Sequence, residues 1–232
     1  MPATMESPPK RLKVFLQGSL VIPNWVDDLK SFCRWRLSDE TPEQGEIAFL
    51  DTGIWVDLTM EEFFTHNQVK AAYDLAIANV VQQAASGRYV PDRMLLKNAE
   101  ANLSSEPDGL FFTWDTVRSG RLVLVEKPGQ GVMVLEGTAD LVLEVVSKLS
   151  VEKDTVLLRE LYWKAGMSEY WLVDVRDGQL QFEILRHTPE GYVSVPPADG
   201  WTASQVLSKK FQLQKKIDPL GHPQFIVAWT DS

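Results

Sequence analysis

The 232-residue sequence contains a single cysteine, Cys33, and only three histidines. One thiol cannot form a disulfide within the chain, which favours a reducing, cytoplasmic compartment. So few cysteine and histidine side chains also exclude a structural zinc site in practice. No apolar run approaches the length of a membrane span, and the first residues lack the apolar segment of a secretory signal, so we expect no membrane partner.

The short motifs of several large enzyme classes are absent as well. The sequence contains no GxxxxGKS/T, GxGxxG, HExxH or GxSxG. Phosphate-loop, dinucleotide-binding, zinc-protease and α/β-hydrolase functions therefore have no support.

Basic residues are outnumbered, with 23 Lys and Arg against 32 Asp and Glu and a net charge of -9. This balance argues against an extended groove for nucleic acid, but it allows a local basic patch. The pairs Lys209-Lys210 and Lys215-Lys216 are candidates for phosphate contact, although such pairs are usually solvated.

What is present is the composition of an ordinary globular protein, with 44% hydrophobic and 24% charged residues. We divide the chain into an N-terminal extension (1–40), a core (41–195) and C-terminal strands that pack on the core (196–232). Hydrophobic periodicity predicts a short helix capped by Asn24, and a long helix from Thr59 to about Ala85. The order of helices and strands predicts an α/β (α+β) fold with a mixed β-sheet core flanked by helices.

One crossover between parallel strands stands out. An apolar strand at 140–146 is followed by an amphipathic helix at 153–165, which Gly166 ends, and by a second strand at 169–174. We expect the two strands to be parallel neighbours in the middle of a sheet, because a helix of this length can return the chain to the same edge.

Acidic residues lie on or beside these apolar strands. Asp140 and Glu144 are separated by an even number of positions, so both point to one face of the strand, while Asp108 precedes the apolar run GLFF. A carboxylate within such a strand is costly to bury unless it is paired or binds a metal. Asp140 as a turn cap and Glu144 as the partner of a buried arginine are the structural alternatives. Converging carboxylates suit a hard divalent cation.

Three segments together resemble a known family: EPDGLFF, GTADLVLEVVS and KDTVLLRELYWKAGMSEYWLVD. They are similar to the Uma-type restriction endonucleases of the PD-(D/E)XK nuclease superfamily. The similarity runs from about Gly45 to Val195, and it includes THNQV, whose His66 resembles a histidine at the start of the family's main helix. From the sequence, a structural role for His66 is somewhat better supported than a catalytic one.

The resemblance implies a nuclease-like core and a hydrolase that uses Mg²⁺ or Mn²⁺ to cleave DNA. It assigns the metal ligands to Asp108 and Glu144, and Asp140 is a further candidate on the face of Glu144. The sequence departs from the family at the basic position. Val146 stands where E-x-K would place a lysine, and Leu158 stands where relatives carry one on the following helix. Lys153 and Arg159 are the neighbouring basic residues that can substitute, and we assign the catalytic cation to Lys153.

A second function remains open from the sequence. The family's lysines are absent at Val146 and Leu158, and Gly53 replaces an acidic residue after the first hairpin turn. These departures favour a catalytically degenerate nuclease fold used for binding or regulation. By analogy with nucleases of this fold, a homodimer would place two sites on two DNA strands.

Overall fold

The computed structural model describes residues 20–41 and 45–231. The helices are α1 (Leu29–Arg36), α2 (Gln68–Ala84), α3 (Trp114–Arg118) and α4 (Leu158–Lys164). The strands are β1 (Glu46–Leu50), β2 (Gly53–Asp57), β3 (Gly87–Pro91), β4 (Leu95–Asn98), β5 (Leu103–Ser105), β6 (Gly109–Thr113), β7 (Leu122–Lys127), β8 (Gly131–Gly137), β9 (Leu141–Val145), β10 (Glu169–Asp174), β11 (Gln181–Thr188), β12 (Gly191–Ser194), β13 (Thr202–Ser204), β14 (Lys209–Ile217) and β15 (Pro223–Asp231). Wide π-helical turns, Phe63–Asn67 and Lys153–Leu157, directly precede α2 and α4.

The strands form two six-stranded mixed sheets and one three-stranded sheet. The first sheet has the order β2-β1-β5-β4-β8-β7, the second β12-β11-β10-β9-β6-β3, and the third β13-β14-β15. Strands β4 and β8 are parallel in the first sheet, and β9 and β10 are parallel in the second. The predicted α/β fold with a mixed sheet and flanking helices is therefore confirmed, with more than one sheet.

The predicted parallel crossover is confirmed. Strand β10 pairs in parallel with β9 and antiparallel with β11, so it lies inside the second sheet. Helix α4 ends at Lys164, and Gly166 follows with a positive φ of 74° that an L-residue adopts only with strain.

Two predicted helix starts are wrong. Helix α1 begins at Leu29, because the Asp28 carboxylate accepts the Ser31 N–H at 2.6 Å and Asn24 lies before the helix. The long helix is preceded by a cap at Glu62, whose carboxylate accepts the Thr65 N–H at 2.6 Å, whereas Thr59 bonds to Asp57. In both cases a nearby carboxylate satisfies the free N–H groups instead of the predicted cap.

Strand β9 is buried on both faces. Its alternate residues Leu141, Leu143 and Val145 pack in one core cluster with α2 and the third sheet. Val142, on the opposite face, packs in a second cluster with Leu158 and Tyr162 of α4. Glu144 belongs to the face of Val142 and is therefore a carboxylate held within an apolar layer.

The third sheet closes over α2, and a buried carboxylate of β10 holds the segment between β13 and β14. Glu169 accepts the Gln205 N–H at 2.7 Å and the Ser204 hydroxyl at 2.7 Å.

The extension predicted for 1–40 includes α1, which packs on β1 through Phe32 and Phe49, and its residues before 20 lie outside the described part. None of the helices in residues 20–41 and 45–231 combines the length and apolar character that a membrane crossing requires.

Candidate active site

A cleft of about 760 Å³ opens where β6 begins and β9 ends. These two strands are antiparallel neighbours, with Gly109 opposite Leu143, so the start of one and the end of the other share an edge of the second sheet. The first residue of β1, the segment after β2, the start of α2 and the turn before α4 complete its walls.

Asp108 lies in the cleft at the start of β6. Its Oδ2 accepts the backbone N–H of Val145 at 2.7 Å, which ties the carboxylate to the end of β9. Glu144 lies on β9 next to that bond and is only 2% exposed. The structure thus places Asp108 directly before β6 and Glu144 on the paired strand β9, behind the wall of the cleft. That the two carboxylates share one ion stays a prediction.

Lys153 joins Glu144 to the cleft. Its Nζ lies 2.7 Å from Glu46 Oε1, 3.2 Å from Asp154 Oδ1 and 3.9 Å from Glu144 Oε2. The ammonium also lies 4.5 Å from the centre of the Trp55 ring, which adds a cation–π contact. Lys153 is therefore a buried cation among three carboxylates, and Glu46 is a member of this cluster that the sequence analysis missed.

The wide turn before α4 orients Lys153. Its carbonyl accepts the N–H of Leu158, five residues later, instead of the bond to a fourth residue that an α-helix makes. Leu158 and Val146 are both buried in apolar surroundings. Neither replaces the missing family lysine, and the cation beside Glu144 comes from Lys153.

Crowding of negative charge changes the acidity of this cluster. Burial raises the pKa of Glu46 to about 7, although Lys153 opposes the shift. Burial likewise raises the pKa of Asp154 to about 6, and that of Glu144 well above its usual range. The neighbouring carboxylates contribute to all three shifts, because each negative charge disfavours ionisation of the next.

A second lysine forms a similar cluster on the opposite wall. Lys70 of α2 lies 2.7 Å from Glu61 Oε1, 2.7 Å from Asp92 Oδ2 and 3.0 Å from Asp108 Oδ1. Its side chain is 8% exposed. The sequence analysis did not identify this cluster.

His66 lies between the two strands and the Lys70 cluster. Its Nε2 donates to the Val145 carbonyl at 2.7 Å and lies 3.7 Å from Asp108 Oδ2, while Nδ1 lies 3.5 Å from Glu61 Oε2. Burial lowers the pKa of His66, but Glu61 and Asp108 outweigh burial, so the pKa lies above its usual value. His66 therefore fixes the carbonyl at the end of β9 and adds positive charge beside Asp108.

The structure does not bring Asp140 to the cleft. Asp140 precedes β9 at the end opposite to Val145, and its Oδ2 accepts the Thr113 N–H at 2.7 Å and the Thr116 hydroxyl at 2.6 Å. Arg121 lies 3.4 Å from its other oxygen. The alternative of a structural capping role therefore describes Asp140 better than that of a metal ligand.

The other structural alternative paired Glu144 with a buried arginine, but in the structure the partners of Glu144 are Tyr162 and Lys153. Tyr162 donates its hydroxyl to Glu144 Oε1 at 2.7 Å, and Lys153 approaches the other oxygen. Tyr162, Tyr170 and Trp171 are fully buried, so these aromatic residues belong to the core and offer no stacking surface for bases.

Comparisons with known proteins concern the family of the chain and its fold. A family model described as "Putative restriction endonuclease", Uma2, matches residues 29–216. A solved structure, described as a putative nuclease belonging to DUF820 from Anabaena variabilis ATCC 29413, matches with a TM-score of 0.56 and 13% sequence identity. The match covers 78% of this chain and 90% of that chain. At this identity the likeness concerns the fold alone. No curated protein matches the sequence.

Proposed function

The chain belongs to the Uma2 family of restriction-endonuclease-like proteins, and we propose that it is a metal-dependent endonuclease that hydrolyses DNA phosphodiester bonds. The observation that carries the proposal is the position of Asp108 in the cleft, directly before β6, while Glu144 lies on the paired strand β9 behind the cleft wall with Lys153 beside it. In this proposal Asp108 and Glu144 hold Mg²⁺ or Mn²⁺, and Lys153 provides the positive charge.

The residues of the cleft fit a hard divalent cation in charge and in donor type. Six carboxyl groups surround two lysines and His66, so oxygen donors are abundant within the described ion pairs; the six are Glu46, Glu61, Asp92, Asp108, Glu144 and Asp154. Carboxylate oxygens are the ligands that Mg²⁺ and Mn²⁺ prefer. Among the described residues, no three acidic, histidine or cysteine side chains already converge as a metal cage, because the lysines separate the carboxylates.

The bound cation would supply Lewis-acid activation of a phosphoryl oxygen and of water. The protein's own residues have separate tasks. Val145 N–H and His66 orient the carboxylate of Asp108, and Tyr162 orients that of Glu144. Lys153, held by Glu46, would supply the positive charge that stabilises negative charge developing on a phosphate.

A second function rests on a specific observation. Lys70 and Lys153 contact three carboxylates each, which leaves their charges already compensated. A catalytically degenerate nuclease fold that binds nucleic acid or a protein partner would tolerate this compensation. Such a protein would bind DNA through phosphate contacts that weaken as salt rises, without cleaving it.

A nuclease assay with supercoiled plasmid and single-stranded DNA in Mg²⁺, Mn²⁺ or chelator distinguishes the two functions. We expect metal-dependent cleavage that Asp108→Asn and Glu144→Gln reduce by at least about a hundredfold, since each loses a charged ligand oxygen. Asp115→Asn is the matched control, because Asp115 is an exposed carboxylate paired with Arg118. Absence of cleavage, together with DNA binding that falls with salt, would establish the binding function instead.

A further inference from the structure

Lys70 is a buried cation whose bonding capacity is fully used. An ammonium group has three N–H donors, and Lys70 contacts three carboxylates, those of Glu61, Asp92 and Asp108. The contacts to Glu61 and Asp92 are short hydrogen bonds of 2.7 Å, and the ion pair with Asp108 is longer, at 3.0 Å. Lys70 is thus anchored by two carboxylates and shared with the third.

The two oxygens of Asp108 are occupied in different ways. Oδ2 accepts the Val145 N–H at 2.7 Å, a bond to a backbone group whose position the pairing of β9 with β10 fixes. Oδ1 faces the Lys70 ammonium, which ends a flexible side chain and has two other partners. A cation that approaches Asp108 therefore finds Oδ1 as the exchangeable oxygen, and Lys70 already occupies it.

We propose that Lys70 is a built-in competitor of the divalent cation: its ammonium neutralises Asp108 in the metal-free protein and must release Oδ1 when the cation binds. This inference rests on the proposed function, because it concerns the cation that Asp108 would hold. The anchoring by Glu61 and Asp92 keeps Lys70 buried after the release, so one carboxylate changes partner while the cluster stays intact. The exchange sets the metal concentration at which the cleft becomes competent.

The test is the affinity of the purified, full-length protein for Mn²⁺, measured by electron paramagnetic resonance of the free ion. Lys70→Met keeps the length of the side chain and removes its charge, so we expect Mn²⁺ to bind about tenfold more tightly or better. Lys70→Arg keeps the positive charge, and we expect its affinity to lie within about threefold of the wild type.

Lys148→Met is the matched control for general charge. Lys148 is an exposed lysine that also lines the cleft, so its removal lowers the positive charge near the cleft but leaves the contact between Lys70 and Asp108 in place. We expect less than about a threefold gain in affinity, because exposed charges are screened. An equal gain in Lys148→Met and Lys70→Met, or no gain in a folded Lys70→Met, would overturn the proposal.

A measurement on the wild type covers the case in which Lys70→Met does not fold. The ammonium groups of ¹⁵N-labelled protein are followed by NMR during a Mg²⁺ titration. We expect the Lys70 signal to shift in parallel with metal binding, and an unchanged signal at saturating Mg²⁺ would refute the exchange.

The outcome also separates this inference from the proposed function. Mn²⁺ binding to Lys70→Met but not to the wild type would support the competition and count against a metal-dependent wild-type nuclease. Binding to neither folded protein would reject both. Equal binding to both would leave the nuclease proposal standing and reject the competition.

Discussion

Lys153 Nζ lies 3.9 Å from Glu144 Oε2, although the two residues belong to different elements. A lysine directly after β9, at the position of Val146, would be the direct way to place a cation next to Glu144. The chain instead brings it from the turn before α4, and Glu46 of β1 holds it there at 2.7 Å. The position of the Lys153 ammonium therefore depends on packing between the two six-stranded sheets.

Removal of Lys153 is expected to cost stability as well as activity. Lys153→Met leaves three carboxylates without their shared cation, and we expect a loss of about 3 kcal/mol in the free energy of unfolding at pH 8. The loss is smaller at pH 6, because protonation of the carboxylates replaces the missing charge. Cleavage slows while Mn²⁺ binding persists. Urea denaturation at both pH values measures the effect. The control is Lys164→Met, because Lys164 forms an exposed ion pair with Glu160, and we expect it to change the free energy of unfolding by less than about 0.5 kcal/mol. A loss that does not depend on pH would contradict this account.

The raised pKa of Glu46 predicts how stability depends on pH. The folded protein holds a proton on Glu46 up to about pH 7, whereas the unfolded chain releases it near the usual 4.5. The corresponding stability is complete below pH 4.5 and is lost as pH rises to about 7. Glu144 and Asp154, whose pKa values are also raised, act in the same direction.

Glu46→Gln should therefore flatten the stability profile between about pH 5 and pH 7 relative to the wild type. The measurement is the free energy of unfolding in urea at half-unit pH steps. Glu160→Gln, at an exposed glutamate of α4, should leave the slope unchanged. If Glu46→Gln kept the wild-type slope, Glu46 would be ionised throughout this range.

Tyr162 supports Glu144 through a single buried hydrogen bond of 2.7 Å. Tyr162→Phe removes the donor and leaves a buried carboxyl with less compensation, so we expect a loss of about 2 kcal/mol in stability. Tyr192→Phe is the matched control, because its hydroxyl donates to the neutral carbonyl of Met167 and its loss should cost about 1 kcal/mol. Thermal and urea denaturation of both variants test the difference. Equal losses of stability would mean that the hydrogen bond from Tyr162 to Glu144 stabilises the fold no more than a bond to a backbone carbonyl.

Asp140 provides a test of the division between structural and functional acids. Asp140→Ala deprives Thr113 N–H and the Thr116 hydroxyl of their acceptor, and we expect a loss of about 2 kcal/mol in stability. Mn²⁺ affinity should stay at the wild-type value, since Asp140 lies away from the cleft. Titration of the folded variant with Mn²⁺ checks this. A loss of Mn²⁺ affinity without a loss of stability would indicate that Asp140 is a metal ligand.

The sequence predicted the acids on strands better than the acids elsewhere. Glu144 stands out because a charge within a continuous apolar strand must have a partner, and Asp108 stands out beside a second such strand. Glu46, Glu61 and Asp92 lie at a strand end and in connecting segments where carboxylates are common, so only the folded chain shows that they converge. Lys70 lies on the buried face of α2, and its helical spacing from Tyr73 and Ile77 is the sequence signal that could have found it.

The local sequence pattern also could not predict which strands belong to which sheet. The strands β14 and β15 are clear from their apolar alternation, but that pattern cannot show that they form a separate sheet over α2. The bond network of Glu169 explains part of this placement, because a carboxylate on β10 accepts backbone N–H groups of the chain near Gln205. Long-range hydrogen bonds of this kind leave no periodic signal in the sequence.

The wide turn before α4 has a consequence for how this site can change over evolutionary time. In a regular α-helix, residues five apart point about 140° away from each other, so a lysine at 153 would face away from Leu158. The π turn, closed by the bond from Leu158 N–H to the Lys153 carbonyl, brings the two onto a similar face. Deletion of one residue between 153 and 157 should turn the ammonium away from Glu144 even though no functional side chain is altered.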